Sequence, residues 1–143
     1  MLFNNTITKY NIGVLAHDGN TTANALATNF VIEANTFYNN TAANAAHSIN
    51  TAIFFSSIGG SCYGTIVNNK FFDTQGTPTQ KYPIGFAGAF TWDYIDIVGN
   101  RMSAYDTGTS IVLTSSAALG SNVNIYKNPT YSGSSPAETA TFS

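Results

Sequence analysis

The chain has 143 residues, the size of one domain, and 43% of them are hydrophobic, so a core can form and intrinsic disorder is excluded. Only 8% are charged, with a net charge of −2, which excludes the basic surface that a nucleic-acid partner requires. No run approaches 18 apolar residues and no charged start precedes an apolar run, so we expect neither membrane insertion nor a signal peptide.

One segment recurs five times, with a hydrophobic residue, an asparagine three positions later and, in four cases, an apolar residue two further on. In chain order the segments are LFNNTI, IEANTF, IVNNKF, IVGNRM and IYKNPT. Their asparagines are 30, 34, 31 and 28 residues apart, a period of about 20 to 50 residues that is typical of a solenoid. We call these residues the asparagine column: Asn5, Asn35, Asn69, Asn100 and Asn128.

A second element lies between these segments, with apolar residues two positions apart, which is the period of a β-strand. The pairs are Ile12/Val14, Ile53/Phe55, Ile84/Phe86 and Ile111/Leu113. Helical signals are nearly absent, because β-branched, aromatic, Asn and Gly residues dominate. The pattern predicts an all-β solenoid of four to five coils of short parallel strands over residues 1–130, followed by an extended tail over residues 131–143. An immunoglobulin-like sandwich is the alternative, although a constant asparagine in every repeat is hard to explain in one.

The asparagine column has a structural explanation. A strand that bends sharply needs a residue that tolerates left-handed backbone geometry, which Asn does better than other non-glycine residues. Stacked Asn side chains also hydrogen-bond to one another and satisfy buried polar groups. We therefore expect a ladder of structural asparagines, with two hydrophobic columns packed inward beside it. These columns are Ile32, Ile66, Ile97 and Ile125, and Phe37, Phe71 and Met102.

The IxxNxF segment, followed by strands such as NIGVLA, PIGFAG and TSIVLT, resembles the right-handed parallel β-helix of the pectate-lyase superfamily. The resemblance covers residues 2–130 and is specific for architecture, because such coils occur in pectin-degrading enzymes, bacterial surface proteins and bacteriophage tailspikes. It implies a structural, glycan-binding segment of a tailspike-like or surface fibre, on a virion tail or extracellular surface. The implied partners are two further copies in a homotrimer and a bacterial surface polysaccharide. The alternatives are a fragment of a polysaccharide hydrolase or lyase, with its site on the β-helix or between subunits, and a fragment of a bacterial adhesin.

The candidate catalytic residues for the enzymatic alternative are Asp73 and Asp106. Both follow the asparagine turn on adjacent coils, and glycoside hydrolysis uses two carboxyl groups about 5 to 9.5 Å apart. A lyase of the pectate-lyase type would use clustered acids for calcium, and the acids of this chain do not cluster in the alignment. The structural alternative is that both aspartates are solvated or cap turns.

Aromatic residues form the candidate carbohydrate-binding or interface site. Tyr63 and Tyr94 share an outward column, and Trp92 comes shortly before the second. Flat aromatic rings one coil apart suit a sugar ring or a neighbouring subunit equally well. An outward apolar stripe continues through Val67, Val98 and Tyr126.

Lys70 and Arg101 share another outward column on adjacent coils. Like charges side by side are unfavourable unless they splay into water or bind an anion, so an acidic sugar or an acidic residue of a second subunit would suit them. We expect no metal and no cofactor, because His17 and His47 have no further ligands at a suitable spacing. Cys62 is expected to be a small buried thiol.

Overall fold

The computed structural model describes residues 1–10, 12–17, 29–39, 51–56, 63–75, 82–88, 91–103, 111–114, 117–128, 130–132 and 135–137. Regular structure in these ranges consists of β-strands alone, which confirms the all-β prediction for them. No helix that could cross a membrane occurs in these ranges. The strands are β1 (Leu2–Phe3), β2 (Thr6–Thr8), β3 (Ile12–His17), β4 (Phe30–Glu33), β5 (Thr36–Tyr38), β6 (Thr51–Ser56), β7 (Gly64–Val67), β8 (Lys70–Phe72), β9 (Tyr82–Ala87), β10 (Thr91–Trp92), β11 (Ile95–Val98), β12 (Arg101–Ser103), β13 (Ile111–Thr114), β14 (Ala118–Leu119), β15 (Asn124–Tyr126), β16 (Thr130–Ser132) and β17 (Ser135–Ala137).

These strands form three main sheets, and strands of successive repeats are neighbours in each. The first sheet has the order β1-β4-β7-β11-β15, the second β17-β16-β12-β8-β5-β2 and the third β13-β9-β6-β3. A small fourth sheet pairs β10 with β14. All pairs are parallel except β16 with β17, so the predicted parallel pairing is confirmed.

The strand register aligns the hydrophobic residues of the repeats. In the first sheet Ile66 pairs with Ile32 on one side and with Ile97 on the other, and all three are buried. In the second sheet Phe71 lies between Phe37 and Met102. The Phe37 and Phe71 rings stack with their centroids 5.1 Å apart, so identical side chains in register fill the core. The third sheet aligns Ile53, Ile84 and Ile111, and beside them Phe55, Phe86 and Leu113.

The first repeat departs from the predicted alignment in the third sheet. Val14 pairs with Ile53 and Ala16 with Phe55, so the inward pair of this repeat is Val14 and Ala16 rather than Ile12 and Val14. A shift of two residues keeps the same side chains on the same face of a strand, because the side-chain period is two. The alternation of apolar residues in the sequence is therefore compatible with both pairings of β3 with β6, the predicted one and the observed one.

The left-handed residue at each bend also differs from the prediction. Positive φ occurs one position before each column asparagine, at Asn4, Ala34, Asn68, Gly99 and Lys127, with φ between 52° and 68°. The residue before the asparagine therefore turns the corner. The asparagine itself is left free to point its side chain along the column.

The asparagine column is continuous through all five repeats. The Oδ1 atom of each asparagine from the second repeat onward accepts both the backbone N–H and the Nδ2 of the asparagine one repeat earlier, at 2.9–3.1 Å. Their Nδ2 atoms also donate to main-chain carbonyls of the preceding repeat, for example Asn100 to Ile66 at 2.7 Å. Asn35, Asn69, Asn100 and Asn128 are fully buried, so this ladder satisfies polar groups that water cannot reach.

Two strands lie at the boundary predicted near residue 130. Strand β16 pairs with β12, and β17 then turns back along β16 as its antiparallel neighbour. The residues between Thr130 and Ala137 that the structure describes thus extend the second sheet. The division into residues 1–130 and 131–143 stays a prediction.

Candidate functional site

Tyr63 and Tyr94 form an exposed aromatic pair at the start of two neighbouring strands of the first sheet. Tyr63 directly precedes β7 and Tyr94 precedes β11, and the Gly64 N–H donates to the Tyr94 carbonyl at 3.1 Å. The ring centroids are 5.1 Å apart with a tilt of 32°, and the side chains are 41% and 54% exposed. The structure therefore brings these two predicted site residues together on the surface.

An open pocket lies beside Tyr94. It has a volume of about 370 Å³ and is lined by Tyr94, Asp96, Ser121, Asn122 and Asn124. Asp96 and Asn124 are opposite each other on β11 and β15, and the Asn124 Nδ2 donates to Asp96 Oδ1 at 2.8 Å. Ser121 and Asn122 belong to the turn between β14 and β15. The pocket therefore has one aromatic wall, formed by Tyr94, and its other lining groups are hydroxyl, amide and carboxylate groups.

Asp93 holds the two sides of this pocket together. Its Oδ1 accepts the backbone N–H groups of Tyr94 at 3.0 Å and Asn122 at 2.8 Å, and its Oδ2 accepts the Asn122 Nδ2 at 3.0 Å. The Asn122 side-chain hydrogen bond, supported by the backbone N–H groups of Asn122 and Tyr94, lowers the pKa of Asp93. Gly120 packs against this carboxylate, since a Cβ there would lie 2.6 Å from Asp93 Oδ1.

Asp93, Ser121, Asn122 and Asn124 were not among the predicted site residues. Asp93 and Asn122 are 29 positions apart, and their contact joins neighbouring repeats. The available signal is the repeat itself, because the offset of 28 residues that aligns Asp96 with Asn124 also aligns Tyr94 with Asn122, next to Asp93. The sequence analysis did not apply that alignment to Asp93 and Asn122.

Trp92 does not belong to this exposed surface, which corrects its assignment to the aromatic site. Its side chain is fully buried, 5.3 Å from Phe86 and 5.9 Å from Phe55 between ring centroids. Strand β10 directs it inward, because Thr91 is exposed and side chains alternate along a strand. Closeness in sequence to Tyr94 therefore did not place Trp92 on the same surface.

Lys70 and Arg101 lie directly opposite each other in the second sheet, and both are exposed. The predicted basic column therefore exists as a pair in register. It belongs to a different sheet from the tyrosine pair, so the structure does not combine the two into one site.

Asp73 is only 6% exposed, and its two carboxylate oxygens accept hydrogen bonds from the Gln75 side chain at 3.0 and 3.1 Å. The Gln75 backbone N–H also donates to Asp73 Oδ1 at 2.9 Å, which is the geometry of a capped turn. Asp106, the other predicted catalytic residue, lies outside the described residues, as do His47 and Cys62. Within the described ranges no three His, Cys, Asp or Glu residues are grouped to hold a metal ion.

The outward apolar stripe occupies the opposite end of the first-sheet strands. Val67, Val98 and Tyr126 are aligned in register, and Glu33 separates Val67 from Phe3 in the same column. Phe3 and Tyr126 are exposed, and the two valines are half-buried.

No protein-family model matches this chain, and neither the curated proteins nor the solved structures include a detectable match to it.

Proposed function

We propose that the chain is a right-handed parallel β-helix of the pectate-lyase type and a structural, glycan-binding segment of a tailspike-like or surface fibre. It assembles as a homotrimer on a virion tail or extracellular surface. The observation that carries the proposal is the parallel pairing of strands from successive repeats in three sheets, together with one buried asparagine column. A fold built from identical stacked layers gives length and stiffness, which a fibre requires.

The glycan-binding part of the proposal is supported by the exposed Tyr63–Tyr94 pair. Their rings are apolar, rigid and accessible, and polar side chains surround Tyr94 in an open pocket. This combination of an aromatic platform with a few polar groups is typical of sites for small polar ligands. Saccharides have the matching chemistry, with apolar C–H faces and hydroxyl edges.

Assembly is supported by the apolar stripe of Val67, Val98 and Tyr126, with Phe3 beyond Glu33 in the same column. The exposed rings of Phe3 and Tyr126 and the half-buried valines between them favour burial against another protein surface. Few charges oppose such contact, because only 8% of the residues are charged. A symmetric homo-oligomer uses the same stripe on every subunit. The tyrosine pair at the other end of these strands stays accessible to glycan.

Light scattering of the purified chain tests the assembly. We expect three times the 15.2 kDa mass of a single chain. Replacing Phe3 and Tyr126 together by Asp should dissociate the trimer, because an interface core does not accommodate unpaired carboxylates. Leu15→Asp is the matched control, since Leu15 is equally exposed but lies in the third sheet. A single-chain mass for the unmodified protein would contradict the proposed assembly.

The polysaccharide-cleaving alternative receives less support from the geometry. A catalytic carboxyl group has to reach the glycosidic oxygen or the anomeric carbon of its substrate. Asp73 is buried, and Gln75 binds both of its oxygens. The binding function is therefore the better-supported proposal.

A further inference from the structure

We propose that the pocket beside Tyr94 is a subsite for one ring of a neutral saccharide and that it discriminates against acidic sugars. The inference rests on the proposed glycan-binding function and specifies the class of ligand that this surface takes.

Tyr94 supplies the apolar wall of the subsite. Tyr94 lines the pocket and is 54% exposed, and the centroid of the Tyr63 ring lies 5.1 Å from that of the Tyr94 ring. Support from a second ring restricts the motion of the first, so less conformational freedom is lost on binding. The C–H face of a pyranose ring matches the size and polarity of such a wall.

Asp96 and Asn124 supply the polar edge. Their mutual hydrogen bond of 2.8 Å uses one carboxylate oxygen and one amide hydrogen. Among the described residues, no other hydrogen bond uses the remaining polar atoms of this pair. These atoms are Asp96 Oδ2, Asn124 Oδ1 and the second Nδ2 hydrogen of Asn124. Together with the Ser121 hydroxyl they provide both acceptors and donors. Neighbouring sugar hydroxyls also donate and accept, so they complement this edge.

Asp93 pre-organises the subsite. By binding the backbone N–H groups of Tyr94 and Asn122, it fixes the aromatic wall relative to the turn that carries Ser121. The two connections come from different repeats, so a ligand finds both walls already in place. Asp93 is therefore a positioning residue for this subsite.

Charge selects the class of sugar. The carboxylate of Asp96 lines the pocket, and the carboxylate of Asp93 binds Asn122, which is another lining residue. Lys70 and Arg101 lie in the second sheet, and the Lys127 Nζ is 6.0 Å from the centre of the Tyr126 ring at the far end of β15. A uronic or sialic acid would thus meet like charge without a compensating cation from the pocket lining.

The test is a titration of the isotope-labelled full chain, followed by backbone amide shifts, with neutral trisaccharides of glucose, galactose and mannose. Trigalacturonate serves as the acidic comparison. We expect neutral sugars to shift the amides of Tyr94 and of residues 121–124. Tyr94→Ala and Asp96→Ala should weaken binding about tenfold or more, whereas Tyr94→Phe should retain it within about twofold. Leu15→Ala, at an exposed position of the third sheet, is the control and should bind like the unmodified chain.

A separate substitution tests the preference for neutral over acidic sugars. Asp96→Asn keeps the size of the side chain and removes one charge, so we expect the preference for neutral over acidic trisaccharide to fall about threefold or more. Unchanged amide shifts outside the pocket show that each variant is folded. An unaltered preference in Asp96→Asn would overturn the electrostatic part of the inference.

Three other outcomes would overturn the subsite. Neutral sugar binding that survives Tyr94→Ala would place the ligand elsewhere on the glycan-binding surface. Binding of trigalacturonate alone, lost in Lys70→Ala, would leave the proposed glycan-binding function standing and overturn the neutral subsite. Binding of neither class would overturn the subsite and the glycan-binding part of the proposed function together, while the fibre assembly is judged separately by light scattering.

Discussion

Asparagine suits its column because one side chain replaces several backbone partners. A buried bend leaves N–H and C=O groups that need hydrogen bonds, and an amide both donates and accepts. Asn69, for example, accepts from Asn35 and donates to the Ile32 carbonyl and to Asn100. Aspartate of the same length has no donor for the carbonyl, and glutamine would place its amide one methylene further away.

Removing the central asparagine should be costly. Asn69→Ala deprives the buried Asn35 N–H of its acceptor and the Ile32 carbonyl of a donor, and each buried unsatisfied group costs about 1–3 kcal/mol. We expect a loss of about 3 kcal/mol or more in the free energy of unfolding, measured by urea denaturation. Asn5→Ala is the matched control at the exposed end of the column and should cost about 1 kcal/mol. Equal losses would contradict the role of burial.

At the scale of the element, the bend is a two-residue unit, a left-handed residue followed by a column asparagine. The sequence predicts that a bend occurs in each repeat, because the asparagine spacing is regular. It does not reveal which residue carries the positive φ, since that position holds Asn, Ala, Gly and Lys in different repeats. The neighbouring repeat contacts the backbone of this residue, as in the Ala34 N–H to Val67 carbonyl bond of 3.2 Å.

Ala34 offers a direct test of this bend. An L-residue with φ of 56° is strained by about 1–2 kcal/mol, and glycine is not. Part of this gain is offset, because glycine makes the unfolded chain more flexible. We expect Ala34→Gly to stabilise the protein by about 0.5 kcal/mol, measured by thermal unfolding. The control is Ala52→Gly, which should destabilise the buried strand β6; a loss of stability in Ala34→Gly would contradict strain at the bend.

At the scale of the whole molecule, low charge leaves few groups through which pH acts on stability. Buried Tyr10 is one of them, because burial, and then the charge of Asp73, raise its pKa above the usual value of about 10. The unfolded chain therefore loses this proton at a lower pH than the folded chain does. The stability that the neutral Tyr10 hydroxyl contributes is complete below about pH 10 and is lost as the pH rises further.

Tyr10→Phe should reduce this alkaline loss. Without an ionisable hydroxyl in the core, the free energy of unfolding should fall less steeply between about pH 9.5 and 11.5 than in the unmodified chain, whatever its value at neutral pH. Urea denaturation across this pH range measures the slope. Tyr126→Phe, at an exposed position, should leave the slope unchanged. A slope unaffected by Tyr10→Phe would show that other groups cause the alkaline loss.

The sequence by itself determined the repeat, the parallel strands, the asparagine column and the inward Ile and Phe columns, because each depends on a local period that recurs in every repeat. Only the tertiary structure decided that Trp92 is buried, that Val14 and Ala16 align with Ile53 and Phe55, and that Asp93 joins Asn122 to Tyr94. These features depend on how connections of unequal length bring residues of neighbouring repeats together. A strand's alternation fixes which face a side chain occupies, whereas its partner one repeat away is selected by packing and hydrogen bonding across the whole stack.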